Sequence, residues 1–203
     1  SIRTYDPAFA WELAVLVRYG IQRMFIDDHD ELFYLMMYNE PKRMPLRPQL
    51  TEVEEGVVRG GYVLEPATGS GNRVNLLGSG TILFEVLEAA SSLREEGFSV
   101  AVYSITSYVE LARDAERAEQ ASSVAEHSGA WVNKLFDEPN VPIVAATDYV
   151  RALPRMISSW LPGRFIALGT DGFGLSERRE ALRAHFGVDA AAIADAARRL
   201  TGS

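Results

Sequence analysis

The stretch VNLLGSGTILFEVLEAASSLREEGFSVAVYS, residues 74–104, decides the fold. It begins with Val74-Asn75-Leu76-Leu77 and ends with Ser99 to Tyr103, two short apolar runs that read as strands. Between them Ile82, Val86, Leu87, Ala90 and Leu93 recur at three- and four-residue spacing, which predicts a helix from Thr81 to Glu96 with one apolar face. Gly97 ends it, in the position after the last turn where glycine is favoured. Strand alternating with helix marks an α/β domain with a mainly parallel sheet.

The alternation continues in both directions. Upstream, Tyr62-Val63-Leu64 and Val74 to Leu77 flank the polar turn Thr68-Gly69-Ser70-Gly71-Asn72, which predicts a hairpin and one antiparallel edge strand. Downstream, the expected elements are a helix from Tyr108 to Gln120, a strand from Val141 to Ala146, a helix from Val150 to Leu161 and a strand from Arg164 to Leu168. A helix from Glu177 to Phe186 follows, capped by Ser176 and closed by Gly187, and then a helix from Ala190 to Arg199 capped by Asp189. The expected fold is therefore α/β, a three-layer mainly parallel sheet with one antiparallel edge strand.

Residues 1–49 read differently. Asp6-Pro7 looks like a helix start with Asp6 as N-cap, and Phe9, Leu13, Leu16, Val17, Gly20, Ile21 and Met24 give that helix an apolar face up to about Phe25. Leu32 to Tyr38 fits a strand covered on both faces, and Pro41, Pro45 and Pro48 mark a linker. One helix and one strand cannot make a stable domain. Residues 1–49 are thus expected to be the tail of an upstream domain plus linker, and residues 50–203 a domain of their own.

Composition narrows the function classes. The chain has 203 residues, 47% hydrophobic and 24% charged, as in ordinary globular proteins. No apolar run reaches membrane-spanning length, and the first residues lack a basic flank, apolar stretch and cleavage site, so a cytoplasmic protein is expected. The absence of cysteine excludes disulfides and thiolate chemistry, and three scattered histidines make an all-histidine metal site a poor prospect. A net charge of −8 without a Lys/Arg cluster argues against nucleic acid.

Several segments have chemical potential. Leu77-Gly78-Ser79-Gly80-Thr81 joins a strand to a helix, where free N–H groups can hold a phosphate; neither common nucleotide-binding glycine pattern is present, so a tight turn is the preferred reading. Ser104-Ile105-Thr106-Ser107 ends a central strand, where ligands of open α/β sheets bind; it is either a polar rim facing another domain or a helix cap. No nucleophile–base–acid set is visible. His29, His127 and His185 read as structural or exposed, with no carboxylate partner implied by spacing. Asp171 stands in the glycine-rich loop Gly169-Thr170-Asp171-Gly172-Phe173-Gly174-Leu175-Ser176, fit to hold loop N–H groups or to pair across an interface. Arg178, Arg179 and Arg183 with Glu177 and Glu180 read as a solvated or interface helix face.

That loop, read with Tyr5-Asp6-Pro7-Ala8-Phe9-Ala10, Leu76 to Gly80, Val102 to Ser107, Glu110 to Asp114 and Ala146-Thr147-Asp148-Tyr149, resembles the C-terminal region of the homodimeric thiamine-diphosphate-dependent E1 components of 2-oxoacid dehydrogenase complexes, above all pyruvate dehydrogenase E1. The resemblance covers nearly the whole chain and implies a transketolase-like plan, with residues 1–49 ending a pyrimidine-binding domain. It implies thiamine diphosphate and Mg2+ in the full-length enzyme, a 2-oxoacid substrate, dimerisation, and a lipoyl-bearing E2 partner. The family's activating glutamate, most substrate-binding histidines and its Gly-Asp-Gly cofactor motif have no counterpart here, so no catalytic, cofactor or metal residue is expected, and the isolated chain is expected to be inactive. Ser104, Thr106, Ser107, Thr170, Asp171, Phe173 and Ser176 are the candidates for an interface or active-site-entrance loop. The chain departs from the family where an Arg-x-Asn run is usual, reading Ala118-Glu119-Gln120-Ala121-Ser122-Ser123 and later Trp131-Val132-Asn133, and it ends soon after Leu200. A transketolase C-terminal domain acting on sugar phosphates and a stand-alone interaction or regulatory domain are the alternatives.

Overall fold

In the computed structural model, which describes residues 2–48, 52–121 and 129–202, five strands form one sheet. They are β3 (Tyr62–Glu65), β4 (Arg73–Gly78), β5 (Ser99–Ser104), β6 (Ile143–Ala146) and β7 (Phe165–Leu168), in the order β3-β5-β4-β6-β7. All neighbours are parallel except β3, which runs antiparallel to β5 at one edge. Side-chain alternation divides the strands between two cores. Val74, Leu76, Val100, Val102, Val144 and Ala146 enter one core, and Leu77, Ala101, Tyr103, Ile143 and Ala145 enter the other. Both faces are covered, which is why the strand sequences read as almost unbroken apolar runs.

The first face carries α3 (Ile82–Glu95) and α8 (Ala190–Thr201), and the second carries α4 (Tyr108–Ala121) and α5 (Trp131–Leu135). The expected three layers and antiparallel edge strand are present. The Asp189 cap is also present, its Oδ1 accepting from Ala192 N at 2.9 Å. Gly187 closes α7 (Arg179–Phe186) at φ 65°.

The N-terminal residues form a parallel βαβ unit: β1 (Ile2–Tyr5), α1 (Ala10–Ile21) with a π-helical turn over Gln22–Ile26, and β2 (Leu32–Leu35). Its inner side chains do not form a separate core. Tyr5, Phe9, Val15 and Leu16 join the same apolar cluster as Leu83 and Val102, with Phe9 edge-on to Phe84 at 5.7 Å.

Several expectations need correction. Residues 2–5 are a strand, too short to show alternation. The first helix begins at Ala10 with Phe9 as N-cap, because Asp6 is drawn into the sheet rim by backbone bonds and Glu12 serves the Phe9 N–H. The predicted hairpin is absent: β5 lies between β3 and β4, and β3 pairs with β5. The expected 150–161 helix is reduced to α6 (Ala152–Arg155) and a 3-10 turn at Ser158–Trp160; Pro154, in the first turn of α6 and without an N–H to donate to Val150, bars an earlier start. The helix after the glycine loop starts at Arg179 with Arg178 as N-cap, so Ser176 does not cap it. The short helix α2 (Val53–Arg59) and α5 were not expected. Residues 39–48 carry no regular element, whereas Gln49, Leu50, Ser122, Ser123 and His127 lie outside the described residues.

Candidate functional site

The carboxyl ends of β4, β5, β6 and β7 come together at one rim, and residues 6–12 lie across part of it. In an open α/β sheet this rim is where ligands bind. Here much of it is occupied by the chain's own polar groups. Ser104 Oγ donates to Glu12 Oε1 at 2.6 Å, beside Tyr62 Oη at 2.7 Å, while Ala8 N and Phe9 N donate to Glu12 Oε2 at 2.7 and 2.9 Å. Glu12 is fully buried. Burial pushes its carboxyl up, and the four donors oppose that. Thr106 Oγ1 donates to Val57 O at 2.7 Å, and Ser107 Oγ accepts from Glu110 N at 3.0 Å, capping α4. Ser104, Thr106 and Ser107 therefore sit buried at the contact between α1, α2 and the sheet.

The turn Leu77 to Thr81 is closed off by a residue from within the chain, whose backbone carbonyl accepts from Gly80 N at 3.1 Å. Gly80 has φ 51°, and a Cβ there would lie 2.6 and 2.7 Å from the Asp6 carboxylate oxygens. Asp6 thus occupies the space that a phosphate would need at this strand–helix turn. Its carboxyl is pushed up to about 6, first by burial, with Tyr38 and Ser79 favouring the charged form and Asp148 opposing it. Among the described residues there is no group of three or more His, Asp or Glu side chains arranged to hold a metal ion. The residues of this rim do not fit a diphosphate–metal group.

The glycine-rich loop is tied to the neighbouring β6–α6 loop. Thr170 N donates to Tyr149 O at 2.9 Å and Thr170 Oγ1 donates to Asp148 O. Asp171 Oδ1 accepts from Arg151 N at 2.8 Å and Oδ2 from Arg151 Nε at 2.6 Å. These bonds, the backbone one first, hold the Asp171 carboxyl below its usual range. Asp171 therefore holds a backbone N–H of the adjacent loop as well as an arginine. Past it the loop is open: Phe173 is 95% exposed, and Ser176 is exposed. A cleft of about 380 Å³ lies between this loop, Tyr38, Asp148 and Arg183.

The structure thus divides the seven candidates into two groups, three buried beneath the N-terminal unit and four on the loop. Sequence reasoning missed Asp6, Glu12, Tyr38 and Arg183. Glu12 had a signal, a carboxylate on the buried side of an otherwise apolar helix face. Arg183 is not solvated: it donates to Glu85 Oε1 and Glu40 Oε2, both at 2.9 Å, and ties α7 to α3 and to the segment after β2. His29 is exposed, and His185 lies edge-on to Phe186 at 4.9 Å.

A two-layered helix cover on a β3-β5-β4-β6-β7 sheet with this rim defines a transketolase-type C-terminal domain. Residues 60–189 match the family model of the transketolase-like TK C-terminal domain, and the chain belongs to that family. Residues 1–45 match the model of the pyruvate dehydrogenase E1 component middle domain. Among curated proteins, the chain is 38% identical over 199 residues to the pyruvate dehydrogenase E1 component of Corynebacterium glutamicum, covering 95% of this chain and 22% of that protein. It is 40% identical over 198 residues to that of Escherichia coli K12, covering 96% and 22%. The chain is thus homologous to the C-terminal region of these proteins and spans about 22% of their length. Among solved structures, a transketolase variant from Pichia stipitis superposes with a TM-score of 0.66 at 15% identity, over 99% of this chain and 25% of the other, a likeness of fold.

Proposed function

We propose that this chain is the C-terminal segment of a thiamine-diphosphate-dependent pyruvate dehydrogenase E1, an enzyme that decarboxylates the 2-oxoacid and passes the acyl group to a lipoyl-bearing E2. The observation that carries this reading is the 38–40% identity to such E1 components along almost the entire chain. The cofactor would supply the electron sink for decarboxylation. With Mg2+ it would be held by the rest of the polypeptide, since the rim of this chain is filled by Asp6 and Glu12. The segment's own work is packing and assembly.

Two features support that role. The N-terminal unit shows an uncovered apolar face: Leu32 and Tyr34 of β2 are 64% and 61% exposed, and Ile2, opposite Leu32, is exposed beside them. Parallel strands are ordinarily covered on both faces. Residues 1–49 are accordingly the end of a pyrimidine-binding domain whose remaining elements cover this face, and residues 50–203 are the C-terminal domain. The exposed Phe173, carried on a loop fixed by Thr170 and Asp171, suits a contact with a neighbouring domain or subunit near the active-site entrance. The complete enzyme would be a cytoplasmic homodimer; no helix among the described residues is long and apolar enough to cross a membrane.

The test is calorimetric titration of the 203-residue chain with thiamine diphosphate and Mg2+. No binding is expected below millimolar concentration, and tight binding would overturn the assignment of the cofactor to other parts of the polypeptide.

A further inference from the structure

A second cleft, of about 520 Å³, lies on the face of the sheet that carries α4 and α5. Ala101 and Tyr103 of β5 line it, together with Val63 of β3, Ala67 just beyond that strand, and Trp131 and Leu135 of α5. The cleft exists because α5 has only five residues and position 101 holds an alanine, so neither the helix layer nor a long side chain fills this corner of the sheet. Its volume falls within the range of small-molecule sites and far exceeds that of a packing gap.

Much of the lining is apolar, and the polar groups are few. Glu138 Oε1 accepts from Arg73 Nη2 at 2.7 Å, and Asp137 supplies a second carboxylate. Both carboxylates and the Arg73 guanidinium act electrostatically on the Tyr103 hydroxyl. Tyr103 is 5% exposed, its ring lies 4.9 Å from that of Phe136, and its hydroxyl has no hydrogen-bond partner among the described residues. Burial pushes that hydroxyl up to about 12, so near neutral pH it keeps its proton and can donate. Lys134 is exposed at the edge of the cleft, its Nζ 5.5 Å from the centre of the Trp131 ring, and pairs with no carboxylate among the described residues. Two further polar atoms of β4, Arg73 Nε and Asn75 Oδ1, are buried without partners, and Asn75 stands opposite Ala101 in the strand register. This corner of the sheet therefore holds polar capacity that the described residues leave unused.

We infer that this cleft binds a small, uncharged carboxamide, whose ring-sized apolar body lies against Val63, Ala101 and Leu135 and whose carbonyl accepts from the Tyr103 hydroxyl. The site is separate from the rim filled by Asp6 and Glu12, and it stands whether or not the enzyme assignment holds.

The charges around the cleft select the class of ligand. An anionic group would meet Asp137 and Glu138, and a cationic one would meet Lys134 and Arg73, so a full charge of either sign faces repulsion. Neither sign is favoured. A neutral amide presents an acceptor to Tyr103 Oη and a donor to the carboxylates, and it meets no like charge. Apolar walls with a few polar groups that fix orientation are the usual build of such sites. The ligand would also span from β3 to α5, which are joined by the bond from Trp131 Nε1 to Gly61 O at 2.8 Å. The Trp131 indole N–H is therefore a reporter built into the site.

The experiment is an NMR titration of the full chain at pH 7 with three probes of nearly equal shape, benzamide, benzoate and benzamidine, which are neutral, anionic and cationic. The reporters are the Trp131 indole N–H and the backbone amides of Tyr103 and Leu135. Benzamide is expected to shift all three saturably with a Kd of about 1 mM, and the two charged probes to bind at least about tenfold more weakly. Tyr103→Phe, which keeps the ring against Phe136, should weaken benzamide by about fivefold. Val63→Trp, which fills the cleft from β3, should abolish the shifts. No saturable shift at the reporters up to about 20 mM benzamide, or a charged probe that binds as tightly as benzamide, would overturn the site. So would a natively folded Tyr103→Phe chain of unchanged affinity. The comparison of the three probes on the native chain decides the matter independently of any variant.

Discussion

Replacing Glu12 is the sharpest probe of how the two parts of the chain are joined. Its two oxygens receive four hydrogen bonds, from Ala8 N, Phe9 N, Tyr62 Oη and Ser104 Oγ, at 2.6 to 2.9 Å. Glu12→Ala strands the buried Phe9 N–H at about 2 kcal/mol, and one of the two hydroxyls, which can partly satisfy each other, at about 1 kcal/mol. The expected loss is about 3 kcal/mol. Glu12→Gln should cost only about 1 kcal/mol, because its oxygen can face the N–H pair and its amide the two hydroxyls. Urea unfolding at pH 7 reads both. With a slope of roughly 2–3 kcal/mol per molar, Glu12→Ala should lower the midpoint by about 1 M with little change in slope. A Glu12→Ala chain within a few tenths of a molar of the native midpoint, or no difference between Ala and Gln, would refute the reasoning.

Gly80→Ala should destabilise by about 2–3 kcal/mol, since the added carbon meets Asp6 and Tyr38 oxygens at 2.5 to 2.7 Å and φ is 51°; thermal unfolding checks it, and an unchanged midpoint counts against the Asp6–Gly80 contact. Arg183→Met leaves Glu40 and Glu85 without their buried partner and should cost about 3 kcal/mol, read by denaturant unfolding, whereas an exposed pair would cost under about 1 kcal/mol. Asp171→Asn, at the surface, should leave the unfolding midpoint almost unchanged and raise exchange at the Arg151 and Thr170 amides. Glu31, held well below its usual range first by Arg3 and then by Arg23, stabilises the fold above about pH 4.5, and that contribution is lost as pH falls. Glu31→Gln should therefore flatten acid unfolding below pH 4.5, and an unchanged acid-unfolding profile would count against the pairing of Glu31 with Arg3 and Arg23.

The five-stranded domain was largely legible because its strands are apolar on both faces and its helices carry regular apolar stripes, as in residues 74–104. Strand order was not. The turn at Thr68 to Asn72 has hairpin chemistry, yet Val63 and Glu65 pair with Tyr103 and Val102, a choice made by tertiary packing that local sequence does not encode. Pro154 was a readable breaker that the apolar pattern of residues 150–161 overrode. In the candidate site the loop residues were accessible because glycine and aspartate at a strand end have recognisable local geometry. Asp6 was assigned to a helix cap, a local role, while its real partners, Tyr38, Gly80 and Thr106, lie far away in sequence. Glu12 and Arg183 likewise act through contacts with residues such as Ser104 and Glu85, which spacing along the chain does not reveal.

The central claim is that this chain completes a pyruvate-decarboxylating enzyme whose chemistry resides elsewhere in the polypeptide. Release of labelled CO2 from 1-14C-pyruvate, with thiamine diphosphate and Mg2+ supplied, tests it most directly on two samples: a polypeptide joining this chain to the upstream domains of an E1 component, and the chain by itself. The account predicts release by the joined polypeptide and none by the chain alone. Release by the chain alone, or a joined polypeptide that leaves pyruvate untouched and transfers carbon units between sugar phosphates instead, would contradict it.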